Sequence, residues 1–119
     1  MFDDAIEWST GAGLWTVITA RAKGAGAAGS DPSSTAGILN SPKLTAEMAA
    51  MWGFLAARYA GTPGIAGYEV LSEPQSLNAT KTHAFHVSTC KAVWAHDPRA
   101  ACLIGAGAYY NRCAPLSLS

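Results

Sequence analysis

Two carboxylates and a proline mark an otherwise apolar segment, Gly67-Tyr68-Glu69-Val70-Leu71-Ser72-Glu73-Pro74. A strand buried on both faces should carry few charges, so Glu69 and Glu73 must be paired, exposed at the strand end, or used. Pro74 stops the strand and leaves Glu73 at its carboxyl end, the end at which parallel sheets and barrels bind ligands. A carboxyl group there suits general acid/base chemistry. From position alone, a loop-start carboxylate with no chemical task is an equal reading. Glu69 lies deeper, where an ion-pairing or hydrogen-bonding role is expected. The two share a parity and so, absent a bulge, a face.

A second pattern is weaker. Lys23-Gly24-Ala25-Gly26-Ala27-Ala28-Gly29 contains a GxGxxG match after a predicted strand. A dinucleotide loop needs a helix to begin inside that motif, so that its amides meet the pyrophosphate. Ser30-Asp31-Pro32-Ser33-Ser34 has no helical period, which favours a plain small-residue loop. Cys90, Cys102 and Cys113 match neither a zinc site nor a redox CxxC pair. Cys90 and Cys102 are expected as buried small hydrophobes; one disulfide, of open pairing, is the alternative in a longer secreted parent. His83, His86 and His96 fall on or after a helix, away from the strand ends, and are expected at the surface. No metal and no cofactor is called for.

The elements that must position these residues alternate. Phe2 to Ser9 reads as the last turns of a helix, with Phe2 and Ile6 at helical spacing, broken by Gly11-Ala12-Gly13. Leu14 to Ala20 is apolar on both parities and rich in β-branched and aromatic residues, as in a buried parallel strand. Arg21 to Asn40 has no period and is expected as a long loop. A helix then starts at Ser41-Pro42 or at Thr45 and presents Leu44, Met48, Met51, Leu55 and Tyr59 as one stripe, ending at Gly61 and Pro63. Ile65 to Ser72 is a second strand. Asn78 caps another helix, with Ala84, Val87, Cys90 and Trp94 on its predicted buried face, and Asp97-Pro98 stops it. Ala101 to Gly105 is a third strand. Trp15, Trp52 and Trp94 fall on these core stripes. The alternation predicts an α/β chain of three parallel strands with right-handed crossovers.

Composition agrees with a folded domain. The 119 residues hold 8 Lys+Arg against 8 Asp+Glu, a net charge of +0, and 50% are hydrophobic. Such a chain can bury enough apolar area to offset its entropy. Without a basic run it lacks the footprint for phosphate backbones or anionic lipid, so neither nucleic acid nor a membrane is an expected partner. No window approaches a bilayer span, and Met1-Phe2-Asp3-Asp4 is acidic where a signal peptide is basic.

Trp52 to Tyr59, then Gly67 to Pro74, then Ala92-Val93-Trp94-Ala95-His96-Asp97-Pro98 together resemble the middle of a glycoside hydrolase family 5 enzyme, the cellulase-type (β/α)8 barrel. Leu14 to Ala20 fits that barrel's third strand. The resemblance implies an extracellular glycosidase of β-glucan or a related polysaccharide. In the family, the glutamate of an Asn-Glu-Pro sequence closing strand four is the general acid/base, which falls on Glu73. Ser72 stands where asparagine is commonest, a shorter polar group facing the sugar. Many members carry a histidine near the end of strand three; Arg21 and Ala22 occupy that stretch here. Arg21 either lines the cleft, bonding sugar or holding a glutamate charged, or is simply solvated. Tyr109 and Tyr110 follow strand five and either offer aromatic faces to a sugar ring or pack in a tail.

The resemblance covers helix two through strand five, so residues 1–119 are expected as part of one barrel domain of eight strands and about 250 residues. A retaining glycosidase needs a second carboxylate about 5 Å from the acid. In the family that nucleophile ends strand seven, and no residue here matches it. The chain alone is therefore expected to be inactive and, with two open sheet edges, to self-associate. Two other readings stay open, a noncatalytic remnant binding glycan or partner chains and a small α/β nucleotide binder.

Overall fold

A computed structural model describes residues 2–22, 32–74 and 78–105. Its elements are α1 (Phe2–Gly11), β1 (Thr16–Arg21), α2 (Thr35–Asn40), α3 (Pro42–Tyr59), β2 (Ile65–Ser72), α4 (Ala79–Trp94) and β3 (Ala101–Leu103). The strands form one parallel sheet in the order β1-β2-β3, the α/β arrangement that the alternating pattern predicts.

Local chemistry sets the element ends. Ser41 caps α3 by accepting from the Leu44 amide at 3.2 Å, with Pro42 in the first turn. Asn78 caps α4 by accepting from the Lys81 amide at 3.0 Å. The stretch expected as an unbroken loop contains α2, where Ser34 accepts from the Gly37 amide at 3.0 Å. With one cap and six residues, α2 is too short to produce a readable period.

The core lies between the sheet and α3 with α4. Trp52, Tyr68, Phe85, Val70, Leu71 and Val93 are fully buried there. Trp52 meets Tyr68 edge-on and donates its indole N–H to the Val70 carbonyl at 3.0 Å, tying α3 to β2. Truncating such a side chain to alanine costs roughly 3–5 kcal/mol.

The helix faces differ from the predicted stripes. On α3 the buried residues are Trp52, Gly53, Ala56 and Tyr59, while Met51 is exposed and Leu44, Met48 and Leu55 are half-buried. The inward face mixes large and small residues, and α4 packs against it at ordinary contact distance; a Cβ on Gly53 would lie 3.6 Å from the Ala92 carbonyl and from His96. On α4 the buried set is Thr82, Phe85, His86, Thr89, Cys90 and Val93, leaving Ala84 and Trp94 exposed and Val87 half-buried. Threonines reach the core because their hydroxyls donate back along the helix, Thr82 to Asn78 O at 2.9 Å and Thr89 to Phe85 O at 2.8 Å.

Other expectations are corrected likewise. Trp15 is 77% exposed, since β1 starts only at Thr16 and Trp15 lies in the connection between α1 and β1. Trp94 sits at the end of α4 and donates its indole N–H outward to Ala100 O at 3.1 Å. His86 is 2% exposed rather than at the surface, whereas His96 is exposed and His83 half-buried. Burial lowers the His86 pKa to about 4, and among the described residues neither ring nitrogen has a hydrogen-bond partner. Cys90 and Cys102 are not free thiols. They form a disulfide between α4 and β3, Cα atoms 5.8 Å apart, because the turn after α4 returns the chain directly alongside the helix. Among the described residues, no helix is long and apolar enough to cross a membrane.

Candidate active site

Strand β2 delivers Glu73, and its neighbours decide how. Gly67 is buried where β3 pairs alongside it, in register with Ala101, and a side chain there would run into the Ala101 carbonyl, so glycine permits the close approach of β3. On the other side Thr19 pairs with Glu69 and Arg21 with Ser72, so β2 advances three residues while β1 advances two. That bulge inserts one β2 residue and re-aims the strand end. The parity argument linking Glu69 and Glu73 therefore fails here.

Glu73 follows the bulge with φ +47°, the one non-glycine residue with positive φ among those described. A left-handed backbone at such a residue costs roughly 1–3 kcal/mol and is found where surrounding structure holds it, often at functional sites. The Arg21 guanidinium donates to the Glu73 carboxylate as an ion pair across the strand ends. Arg21 is largely exposed and Glu73 about one-third exposed, so solvent still reaches the pair. Ser72, in register with Arg21, is half-buried. The structure thus brings Glu73, Arg21 and Ser72 together at the carboxyl ends of β1 and β2.

Glu69 has the hydrogen-bonding environment expected of a strand carboxylate. The Thr19 hydroxyl donates to it at 2.7 Å from the facing β1 position. Thr19 was legible as a polar residue inside an apolar strand, yet its partner depends on register. Tyr109, Tyr110, Asp31 and the glycine-rich segment 24–29 lie outside the described residues. Among the described residues, no group of three or more His, Cys, Asp or Glu side chains converges as a metal site would.

Neither a protein-family model nor a curated protein sequence matches the chain. Solved structures do. A beta-glucanase of Saccharophagus degradans aligns with a TM-score of 0.70 and 17% identity over 92% of this chain and 33% of its own. An endoglucanase of Pseudomonas stutzeri aligns with a TM-score of 0.73 and 18% identity over 92% of this chain and 32% of its own. An endoglucanase of Thermotoga maritima gives 0.72 and 22% over 91% and 32%, and its complexes with cellobiose and mannotriose align comparably. The chain spans about a third of the length of these enzymes. At such identities the likeness is one of fold, and the chain has the α/β fold of a portion of the (β/α)8 barrel in which cellulases are built.

Proposed function

We propose that this chain is the acid/base-bearing portion of a retaining glycoside hydrolase of family 5 type, acting on β-glucan or a related polysaccharide. The observation that carries the reading is Glu73 itself, a carboxylate at the carboxyl end of a parallel strand, in a left-handed backbone and engaged by Arg21. A barrel's strand ends of this kind are where catalytic residues stand. The fold shared with endoglucanases supports it, as does the binding of cellobiose and mannotriose by the Thermotoga maritima enzyme.

In this mechanism the Glu73 carboxyl protonates the glycosidic oxygen as the bond to the sugar breaks, then takes a proton from the water that releases the sugar. Arg21 orients the carboxylate and must yield one hydrogen bond as the leaving oxygen arrives. The Ser72 hydroxyl offers the neighbouring sugar a donor and an acceptor. Tyr109 and Tyr110, which follow strand five in the family resemblance, would add stacking faces for the sugar. The nucleophile, a second carboxylate about 5 Å from the first, comes from the rest of the barrel.

The test is Glu73→Gln in the barrel that contains this chain. Release of reducing ends from carboxymethylcellulose, mannan and β-1,3-glucan should fall by orders of magnitude while polysaccharide binding survives. Near-normal release would remove Glu73 from the mechanism.

A further inference from the structure

Asn78-Ala79-Thr80 is the one Asn-x-Ser/Thr triplet of the sequence, Asn40 being followed by Ser41-Pro42 and Asn111 by Arg112-Cys113. Such a triplet is the acceptor signature for N-linked oligosaccharide in proteins that pass through a secretory compartment. Asn78 and Thr80 are both exposed, at the start of α4. A second observation is independent of the triplet. Cys90 and Cys102 are joined across α4 and β3, and disulfides form and persist in oxidising compartments. We propose that Asn78 carries an N-linked oligosaccharide, acquired in the compartment where the Cys90–Cys102 bond forms.

The chemistry is compatible with the local structure. The Asn78 side-chain nitrogen attacks the anomeric carbon of an oligosaccharide borne on a lipid pyrophosphate. A C–N bond forms as the C–O bond to phosphate breaks. The lipid pyrophosphate leaves with the electron pair, and one amide proton passes to a base of the transferase. The product is a secondary amide that keeps its carbonyl oxygen, so Oδ1 still accepts from the Lys81 amide and the cap of α4 persists. Asn78 begins the helix that follows β2, so the oligosaccharide leaves the fold at the strands' carboxyl end, the end that bears Glu73. The proposal stands whether or not the chain belongs to a glycosidase.

The experiment uses protein recovered from its own cells and digested with trypsin without reductant, which releases the peptide 59–81. Treatment with peptide N-glycosidase in heavy-oxygen water should convert Asn78 to labelled aspartate, with residues 90 and 102 found in linked peptides. In the same cells Thr80→Ala, which leaves the Asn78 cap in place, should abolish the gel-mobility shift that the glycosidase removes, and Thr80→Ser should keep it. Unmodified Asn78 in the recovered peptide, or a shift that survives Thr80→Ala, would overturn the proposal.

Discussion

Arg21 and Glu73, 52 residues apart in sequence, pair across the carboxyl ends of two adjacent parallel strands. The pairing depends on the bulge that lets β2 gain a residue on β1 between Thr19 and Arg21. An exposed Arg–carboxylate pair contributes about 0–1 kcal/mol to stability, so its main consequence is to orient the carboxylate.

If the proposed function holds, Arg21→Ala should leave the urea midpoint almost unchanged while lowering kcat of the proposed glycosidase at least tenfold, with partial recovery in Arg21→Lys. A large loss of stability with normal kcat would assign Arg21 to the fold instead.

His86 makes stability pH-dependent. Burial lowers its pKa to about 4, below the usual 6.5 or so of an unfolded chain. Between those values the unfolded chain binds the extra proton, so this contribution to stability is complete above about pH 6.5 and is lost as pH falls towards 4. The full loss is on the order of 3 kcal/mol. Urea denaturation at stepped pH should show it, and His86→Leu should flatten the slope over that window. An unchanged slope in the variant would place the acid sensitivity elsewhere.

Much of the fold was legible because its signals are local. Ser41-Pro42 and Asn78 announce helix starts by side-chain capping, and Ile65 to Ser72 reads as a strand from its largely apolar run, interrupted by Glu69. The helix faces were not, because Thr82 and Thr89 satisfy their hydroxyls within α4 and so tolerate burial that their polarity does not announce. Glu73 was visible from Pro74 and the strand before it. Arg21 was visible as a residue that could hold a glutamate charged, but which glutamate it meets was not, since a bulge leaves no mark in composition and the pairing is set by register. A disulfide was an open alternative, but its pairing was hidden, since it depends on where α4 ends and β3 returns.

Reducing the Cys90–Cys102 bond should lower stability by about 3 kcal/mol, the loop-closure estimate for a short loop of this kind. Thermal unfolding with and without dithiothreitol measures it, and Cys90→Ser should reproduce the reduced value. Equal midpoints in both conditions would deny the bond any stabilising role.

The 119-residue chain on its own should self-associate. Val17 and Leu103 expose about two-fifths of their surface on the sheet, at 41% and 40%, and β1 and β3 each have one edge unpaired among the described strands. Open edges beside apolar side chains invite pairing between chains. Sedimentation velocity should show dimers or larger species at micromolar concentration. A single monomeric boundary with cooperative unfolding would mean that the sheet needs no cover.

The assignment of Glu73 as general acid/base is tested most directly by the leaving-group dependence of Glu73→Gln in the barrel containing this chain. A lost general acid costs roughly 100- to 10,000-fold where the leaving group needs a proton. Glycosides of strongly acidic phenols need none. Turnover of polysaccharide should thus fall by that factor, while the first-turnover release of an acidic phenol stays near normal. An equal loss on both substrates, or no loss on either, would contradict the account.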